Sequence, residues 1–550
     1  MTMIVEYPVA AMGAPVLDIR GLCVSIANKD QSSVVNDVSF SIRAGETVCV
    51  VGESGSGKSV SAFSIMGLLP PDALRVTDGQ VLLQGEDVTK ASPDRLRDLR
   101  STKMSMVFQE PMTALNPVEK VGPQIEEVLI LHRNYSAAER RRRVMEMLES
   151  VHLPDPERIY DSYPHQLSGG QRQRIVICIA LVLEPALLIA DEPTTALDVT
   201  TQRQILTLIR ELQERHNTAV LFITHDFGVV ADIADRVVVM NAGRVVEIAD
   251  RDTILSSPKE EYTRMLIASV PSLAPEPRAA LETDVVLSLS GLDKRFTSRR
   301  FLRKSASVHA VQDVSLTLRR NEILGIVGQS GSGKSTVGRC VVGLEQPTDG
   351  TVTICGQRTD NLGAKDRRLL RRQVQMIFQD PFRSLNPRVR IGESMIEGPT
   401  NYGVDRGEAM ARASELLELT RLPKSALDRY PHQFSGGQRQ RICIARALML
   451  DPAVLVADEA VSALDVSVQE QILDLLDDIR AETGVGILFI THDLRVAARI
   501  CDTIYVMNEG RIVETGPAAE VLTAPKEDYT RLLFQAAPGR HWDFRNFRPL

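Results

Sequence analysis

Short runs of apolar residues alternate along the chain with segments in which apolar residues recur at helical spacing. The runs E-T-V-C-V-V-G, A-L-L-I-A-D and T-A-V-L-F-I-T are apolar almost throughout. Strands that are apolar on both sides are typical of a parallel sheet covered on both faces by helices, whereas a half-exposed strand alternates apolar with polar residues. The pattern therefore predicts an α/β fold.

Residues 110–167 show a different pattern, which lies between two of these predicted strands. They include S-A-A-E-R-R-R-R-V-M-E-M-L-E-S-V at 136–151, where basic residues come early and apolar residues follow at helical spacing. We interpret 110–167 as a separate helical subdomain inserted into the α/β fold.

The chain repeats itself once. V-G-E-S-G-S-G-K-S-V at 51–60 returns as V-G-Q-S-G-S-G-K-S-T at 327–336. Five further blocks recur in the same order, and this indicates a duplicated domain rather than a solenoid with a period of about 20–50 residues. The predicted organisation is a domain at 15–270, a Pro-, Ala- and acid-rich linker at 271–286, a second domain at 287–537 and a tail at 538–550.

Composition and charge narrow the class of protein. The net charge is −7, which argues against an extended nucleic-acid footprint. The longest apolar run, Ile175 to Leu183, has nine residues, whereas a membrane span needs about 20. The N-terminal M-T-M-I-V-E-Y-P-V-A lacks the basic region of a secretory signal. Seven scattered cysteines without a C-x-x-C pair are expected to be buried, reduced side chains. These features predict a soluble cytoplasmic protein.

Two glycine-rich loops carry the clearest chemistry. Both match G-x-x-x-x-G-K-S, follow an apolar strand and precede a predicted helix. Glycines let backbone N–H groups curve around phosphate oxygens, the lysine reaches the β- and γ-phosphates, and the serine hydroxyl binds Mg²⁺. The sequence therefore predicts two nucleotide sites, built on Gly52, Gly55, Gly57, Lys58 and Ser59 in the first copy and on Gly328, Gly331, Gly333, Lys334 and Ser335 in the second.

An Asp-Glu pair ends an apolar strand in each copy, Asp191-Glu192 in the first and Asp458-Glu459 in the second. The aspartate is expected to hold Mg²⁺ through water, and the glutamate to orient or deprotonate the attacking water. Such a pair is common by itself. Its recurrence at a matching distance after both phosphate loops predicts ATP hydrolysis.

The S-G-G-Q turns at 168–171 and 435–438 complete a set of motifs. With the phosphate loops, Gln109 and Gln379, the Asp-Glu pairs and the two T-H-D motifs, they make the chain resemble a tandem ATP-binding cassette ATPase over about 500 residues. The F-Q-[ED]-P-x-x-[SA]-L-N-P and P-K-E-[ED]-Y-T-R blocks resemble those of the ATPase subunits of peptide, glutathione, opine and nickel importers, in particular subunits that fuse two ATPases. The resemblance implies two P-loop domains, each a RecA-like α/β core with an antiparallel β subdomain and an inserted helical subdomain.

In that family two cassettes pack head to tail, and each ATP lies between the phosphate loop of one and the signature serine of the other. An S-G-G turn that opens a helix is a further N–H-rich anion site, which agrees with this arrangement. The first site would combine Lys58, Ser59, Gln109, Asp191, Glu192 and His225 with Ser435 and Gly437. The second would combine Lys334, Ser335, Gln379, Asp458, Glu459 and His492 with Ser168 and Gly170. The resemblance implies that the glutamates and histidines are catalytic, and that Mg²⁺ is held by Ser59, Gln109 and Asp191 in one site and by Ser335, Gln379 and Asp458 in the other.

Three departures from the family pattern are visible. Phe296 occupies the place of the aromatic residue that stacks on adenine, whereas the first copy has Ile26. Ala460 stands where the first copy has Pro193. Neither copy is followed by the cysteine-rich segment of some peptide-importer ATPases, so no iron–sulfur cluster is expected. We therefore expect two competent but unequal ATP sites.

The resemblance implies an importer motor on the cytoplasmic face of a bacterial inner membrane. Its partners would be two separate transmembrane permease subunits and, indirectly, an extracytoplasmic solute-binding protein, with no nucleic acid. A short peptide or glutathione is the preferred solute, and opines, nickel chelates and oligosaccharides are alternatives. A soluble tandem cassette acting on ribosomes or DNA is a remote alternative, because the linker is short and carries little basic charge. A nucleotide-binding regulator without turnover is disfavoured by the intact Glu192 and Glu459.

Overall fold

The computed structural model describes residues 14–27, 32–109, 114–195, 197–275, 278, 283–297, 307–360, 362–462 and 464–550. They belong to two compact units, one with residues up to Leu197, Thr201–Ile267 and Phe547–Leu550, the other with Asp198–Thr200 and Ala268–Asn546. Residues 110–113 of the first F-Q-E-P block, and 276, 277 and 279–282 of the predicted linker, lie outside the described residues.

The strands of the first unit form two sheets. Its described strands are β1 (Leu17–Ile26), β2 (Ser33–Ile42), β3 (Thr47–Val51), β4 (Leu74–Leu83), β5 (Glu86–Asp87), β6 (Met104–Val107), β7 (Leu187–Asp191), β8 (Ala219–Ile223), β9 (Arg236–Asn241) and β10 (Arg244–Asp250). An antiparallel sheet has the order β2-β1-β4-β5, and a second sheet has the order β10-β9-β3-β8-β7-β6. In the second sheet all neighbours are parallel except β10 and β9.

The fully apolar strands are the buried centre of the parallel sheet. Every residue of β3, β7 and β8 is buried, because helices cover both faces. The carboxyl ends of parallel strands meet at one edge of a sheet, and this is where α/β proteins bind ligands. The loops after β3, β7 and β8 therefore open at one edge and bring Gly52, Asp191 and His225 to it. The predicted α/β class is confirmed.

Helices of the first unit lie between these strands. The described ones are Lys58–Met66, Pro93–Thr102, Val121–His132, Ala137–Ser150, Pro156–Tyr160, Gly169–Leu181, Val199–His216, Phe227–Ile233, Arg251–Ser256 and Glu261–Ala268, with short 3₁₀ turns at Val88–Lys90 and Pro164–Gln166. Ala137–Ser150 confirms the helix predicted at 136–151, and the Ser136 hydroxyl caps it by accepting the Glu139 backbone N–H. This helix, Val121–His132 and Pro156–Tyr160 lie within the predicted helical insertion at 110–167, between β6 and β7.

The second unit repeats the same plan. Its strands are β11 (Val285–Thr297), β12 (Ser307–Arg319), β13 (Ile323–Val327), β14 (Asp349–Ile354), β15 (Gln357–Arg358), β16 (Val374–Ile377), β17 (Val454–Asp458), β18 (Gly486–Thr491), β19 (Thr503–Asn508), β20 (Arg511–Pro517) and the short β21 (Trp542–Asp543). The short strand β22 (Arg548–Pro549) belongs to the first unit. The sheet orders are β12-β11-β14-β15 and β16-β17-β18-β13-β19-β20. Strand β11 begins at Val285, inside the stretch predicted as linker.

Helices of the second unit follow in the same sequence. The described ones are Lys334–Val341, Ala364–Arg372, Pro381–Ser384, Ile391–Asn401, Arg406–Leu419, Gly436–Leu448, Val466–Thr483, Leu494–Ile500, Ala518–Thr523 and Asp528–Ala536, with 3₁₀ turns at Lys424–Asp428, Pro431–Gln433 and Phe544–Asn546. Within the described residues, no helix combines the length and apolar character needed to cross a membrane.

Five of the seven cysteines are buried, as expected for small apolar core residues. Cys23 is partly buried. Cys355 is exposed, so the prediction is wrong for this residue. The reason is local, because Cys355 lies in the turn between β14 and β15 and has a φ of 47°.

Candidate nucleotide sites

The first phosphate loop connects the buried strand β3 to the helix Lys58–Met66. Lys58 Nζ donates hydrogen bonds to the carbonyl oxygens of Gly52 (2.7 Å) and Glu53 (2.9 Å), so the lysine closes the loop on itself. Gly52 has a φ of 149°, and a Cβ there would overlap the Met240 carbonyl oxygen. Only glycine fits this position, because the loop runs against β9.

The second phosphate loop has the same construction. Lys334 Nζ donates to the carbonyl oxygens of Gly328 (2.8 Å) and Gln329 (2.7 Å), and a Cβ at Gly328 would overlap the Met507 carbonyl oxygen. Burial of the ammonium group lowers the pKa of Lys334, although the Glu459 and Asp458 carboxylates act in the opposite direction. A lysine buried beside an N–H-rich loop is suited to a polyanionic phosphate chain.

A serine and an aspartate meet at the edge of the parallel sheet in each unit. Ser59 Oγ donates to Asp191 Oδ1 at 3.1 Å, and Ser335 Oγ donates to Asp458 Oδ1 at 2.9 Å. Burial raises the pKa of Asp191 to about 6, and it also raises the pKa of Asp458. Such buried carboxylates are poorly compensated by the protein alone, and a cation would compensate them.

These donors fit Mg²⁺, which prefers hard oxygen ligands and is bound by one or two protein groups together with phosphate and water. Within the described residues, no group of three or more His, Cys, Asp or Glu side chains could hold a metal ion alone. A Ser-Asp pair supplies the one or two protein groups with which Mg²⁺ is held beside phosphate.

Glu192 follows directly after β7, and its carboxylate has hydrogen-bond contacts with three residues. The Gln109 amide donates to its Oε2 at 2.8 Å, the Thr195 hydroxyl donates to the same oxygen at 3.0 Å, and His225 Nδ1 lies 3.0 Å from Oε1. Burial acts to raise the pKa of Glu192, but the His225 and Thr195 hydrogen bonds and nearby positive charge outweigh it and lower the pKa to about 2. The hydrogen bonds therefore favour the ionised form of the Glu192 carboxylate.

Glu459 has a similar but smaller set of partners. The Gln379 amide donates to its Oε2 at 2.6 Å, and His492 Nδ1 lies 3.2 Å from Oε1. The Ser462 hydroxyl occupies the place of Thr195 but donates to the Glu459 backbone oxygen instead. Burial opposes ionisation of Glu459, yet its bond to His492 lowers the glutamate pKa and raises the histidine pKa.

The backbone is strained at both glutamates. Glu192 has a φ of 46° and Glu459 a φ of 49°, in the left-handed region that non-glycine residues rarely adopt. Their backbone N–H groups donate to Ile223 and Ile490, respectively. Strain retained at the same position in both units is typical of functional sites, where it aims a side chain.

The signature residues lie at the start of long helices. Ser168 accepts the Gln171 backbone N–H and caps the helix Gly169–Leu181, and Ser435 caps Gly436–Leu448 in the same way through Gln438. A Cβ at Gly170 would press on Thr201, and one at Gly437 would press on Val468. Both turns open a helix, as predicted, and anion binding by their N–H groups remains a prediction.

The structure thus brings the phosphate loop, the Asp-Glu pair, the glutamine and the histidine of each unit together. Phe296 lies apart from this hydrogen-bonded cluster, at the end of β11, where it is 40% exposed and Lys294 Nζ lies 4.8 Å from its ring centroid. Ile26 ends β1 and is partly buried. Stacking on adenine remains a prediction for Phe296.

Comparison with known proteins agrees with this geometry. The model of the ABC transporter family matches residues 35–195 and 311–462. The chain belongs to the ABC transporter family. A second model, the C-terminal region of oligopeptide/dipeptide transporters, matches residues 246–304 and 513–546. The two units are therefore ATP-binding cassettes, and we call them the first and the second cassette.

Curated relatives cover nearly the whole chain. The glutathione import ATP-binding protein GsiA of Salmonella paratyphi A is 45% identical over 557 aligned residues, which cover 95% of this chain and 89% of the relative. GsiA of Escherichia coli O157:H7 is 46% identical with the same coverage. Among solved structures, the dimeric bacterial ABC transporter cassette MJ0796 is 30% identical, covers 43% of this chain and 98% of its own, and has a TM-score of 0.38.

Sequence reasoning missed two kinds of residue around the site. Thr195 donates a third hydrogen bond to Glu192, and a threonine three residues after that glutamate gives no signal in the sequence. The hydroxyls of Tyr262 and Tyr529 accept hydrogen bonds from the phosphate loops. The repeated P-K-E-[ED]-Y-T-R block could have pointed to these tyrosines.

Proposed function

We propose that this chain is the ATP-hydrolysing motor of a bacterial ABC importer for a short peptide or glutathione. The observation that carries the proposal is the set of hydrogen bonds around each glutamate, in which Gln109 and His225, or Gln379 and His492, hold a partly buried carboxylate beside a phosphate loop. A regulator without turnover would have no use for two such bases. The oligopeptide/dipeptide regions and the identity to glutathione import proteins support the choice of solute.

In this mechanism Lys58 and Lys334 exchange their loop carbonyls for the β- and γ-phosphates of ATP. Ser59 with Asp191, and Ser335 with Asp458, would hold Mg²⁺, which would neutralise phosphate charge when bound. Glu192 and Glu459 accept a proton from the attacking water. Gln109 and Gln379 would join metal or water coordination and sense the γ-phosphate, while His225 and His492 would contact the γ-phosphate.

Each ATP site is proposed to be composite. Ser435 and Gly437 would complete the first site, and Ser168 and Gly170 the second, through the N–H groups at the starts of their helices. ATP binding would close the cassettes and hydrolysis would reopen them, driving two membrane-embedded permeases that receive solute from an extracytoplasmic binding protein. The chain would then lie on the cytoplasmic face of the inner membrane.

Uptake in the source cell tests this proposal directly. Deletion of the gene should abolish ATP-dependent uptake of labelled glutathione or of a labelled dipeptide, and the wild-type gene should restore it. A gene that encodes Glu192→Gln and Glu459→Gln should not restore it. Uptake of both solutes unchanged by the deletion would reject the peptide assignment, and the same assay with opines, nickel chelates and oligosaccharides would then decide among the alternatives.

A further inference from the structure

The P-K-E-[ED]-Y-T-R block of each cassette forms a turn that is clamped by a glutamate from the preceding strand. In the first cassette the Glu247 carboxylate accepts the backbone N–H groups of Lys259 (2.8 Å) and Glu260 (3.2 Å). In the second, Glu514 accepts from Lys526 (2.8 Å) and Glu527 (3.2 Å). Two charge-assisted bonds to adjacent N–H groups hold the turn rigidly against β10 or β20.

An arginine closes the same turn from its other side. Arg264 Nε donates to the Pro258 carbonyl oxygen at 2.9 Å, and Arg531 Nε donates to that of Pro525 at 3.1 Å. The threonine before each arginine is buried, which anchors the helix that follows. The conformation of the block is therefore determined from both ends, and the tyrosine between them has a defined position.

That tyrosine reaches the phosphate loop of its own cassette. The Tyr262 hydroxyl accepts the backbone N–H of Glu53 at 3.3 Å and lies 3.5 Å from the Glu53 carboxylate. The Tyr529 hydroxyl accepts the backbone N–H of Gln329 at 3.1 Å. The contact joins residues 209 positions apart in the first cassette and 200 apart in the second.

The residue contacted by the tyrosine is the one that also receives the phosphate-binding lysine. The Glu53 carbonyl oxygen accepts from Lys58 Nζ, and the Gln329 carbonyl oxygen accepts from Lys334 Nζ. The tyrosine thus holds the N–H, and the lysine the C=O, of one loop residue. When the lysine turns to phosphate, the tyrosine contact remains, together with the hydrogen bond from the Ser56 or Ser332 backbone N–H to the same carbonyl oxygen.

We propose that Tyr262 and Tyr529 are positioning residues, through which the oligopeptide-type C-terminal segment of each cassette keeps its phosphate loop in the shape that binds nucleotide. The inference rests on the proposed function, since it concerns the affinity of the same ATP sites. A preorganised loop binds ATP without first becoming ordered. Loss of the contact should therefore weaken ATP binding and raise KM while leaving kcat unchanged.

Tyrosine-to-phenylalanine exchange provides the test, because phenylalanine keeps the ring and removes only the hydroxyl. The variants Tyr262→Phe, Tyr529→Phe and the pair are made in the full chain with Glu192→Gln and Glu459→Gln, and ATP, ADP and adenosine are titrated. We expect the ATP and ADP dissociation constants to rise about three- to tenfold at the affected site, the value of one hydrogen bond. Adenosine, which has no phosphate, should bind as before.

Two matched controls separate this role from general stability. Tyr160→Phe removes a hydroxyl that donates to Glu126 (2.6 Å), and Tyr402→Phe removes one that donates to the Arg368 carbonyl oxygen (2.8 Å); neither bond involves a phosphate loop. These variants should keep the parental ATP affinity. An ATP affinity within twofold of the parent in the Tyr262/Tyr529 double variant overturns the inference, as does an equal loss for adenosine. A parent chain that binds no ATP would instead reject the proposed function.

Discussion

Gln109 and Glu192 lie 83 residues apart in the chain, yet the Gln109 amide donates a 2.8 Å hydrogen bond to the Glu192 carboxylate. Gln379 and Glu459 repeat the contact at 2.6 Å. Each glutamine begins the segment that leads into the helical insertion of its cassette. A shift of that insertion would therefore act on Glu192 or Glu459 through this hydrogen bond.

Replacing both glutamates by glutamine tests their assignment as bases. Glutamine keeps the size of the side chain and can still bond to Gln109 and His225, but it cannot accept the proton of the attacking water. We expect the Glu192→Gln/Glu459→Gln chain to bind ATP normally, while steady-state turnover falls by about 100-fold or more. The same exchange at the exposed Glu146 is the control. Turnover near that of the parent would show that neither glutamate is the base.

Motifs that are contiguous in the chain could be predicted from sequence, whereas the contacts among them could not. A phosphate loop is recognisable because one backbone turn needs Gly52 and Lys58 at fixed spacing. The bond between Tyr262 and Glu53 depends on how a helix near the end of the cassette returns to the loop. The Thr195 hydroxyl donates to the Glu192 carboxylate, whereas the Ser462 hydroxyl donates to the Glu459 backbone oxygen, and the sequence does not distinguish these two bonds.

A glycine in the first helical insertion should be more sensitive to a methyl group than its counterpart in the second. A Cβ at Gly122 would overlap the ring of Tyr160, which is fixed by Glu126, whereas at Gly392 the nearest atom is the Leu427 carbonyl oxygen at 3.1 Å. We expect Gly122→Ala to lower the free energy of unfolding by about 1–3 kcal/mol, as overpacking does. Gly392→Ala should lower the free energy of unfolding by less, and chemical denaturation of both variants measures the difference. Equal costs would mean that Tyr160 can move aside.

Arg495 fastens the start of the linker and the C-terminal tail to the second cassette. Its buried guanidinium donates to the carbonyl oxygens of Pro271 (2.9 Å), Pro538 (3.1 Å) and Gly539 (2.9 Å), and it lies 5.0 Å from the Phe544 ring centroid. The corresponding residue of the first cassette is glycine.

Arg495→Ala should therefore lower the free energy of unfolding of the second cassette by about 2–4 kcal/mol, because buried carbonyl groups lose their partners. The only tryptophan of the chain, Trp542, lies within this tail, so its fluorescence reports the local transition. Arg388→Ala removes an exposed arginine of the same cassette and should change stability by less than about 0.5 kcal/mol. An unchanged Trp542 transition in Arg495→Ala would show that other contacts hold the tail.

The two ATP sites should differ in their affinity for adenine. Phe296 is 40% exposed at the end of β11 and could stack on a base, whereas the first cassette offers the aliphatic Ile26. An aromatic–base stack contributes about 1–3 kcal/mol in nucleic-acid sites, and an aliphatic contact recovers part of it. We therefore expect the site with Phe296 to bind ATP about severalfold more tightly.

Separate variants assign that asymmetry to its residues. With hydrolysis blocked, Phe296→Ala should weaken the tighter site toward the weaker one, and Ile26→Tyr should strengthen the weaker site. Val308→Ala is the matched control, because Val308 pairs with Phe296 across the sheet and is also exposed, so it tests loss of apolar surface without loss of stacking. The affinity of each variant for GTP is a second test, because stacking alone discriminates poorly between adenine and guanine. If Phe296→Ala leaves both ATP affinities unchanged, Phe296 does not stack on adenine. The predicted difference in affinity between the two sites then has no basis.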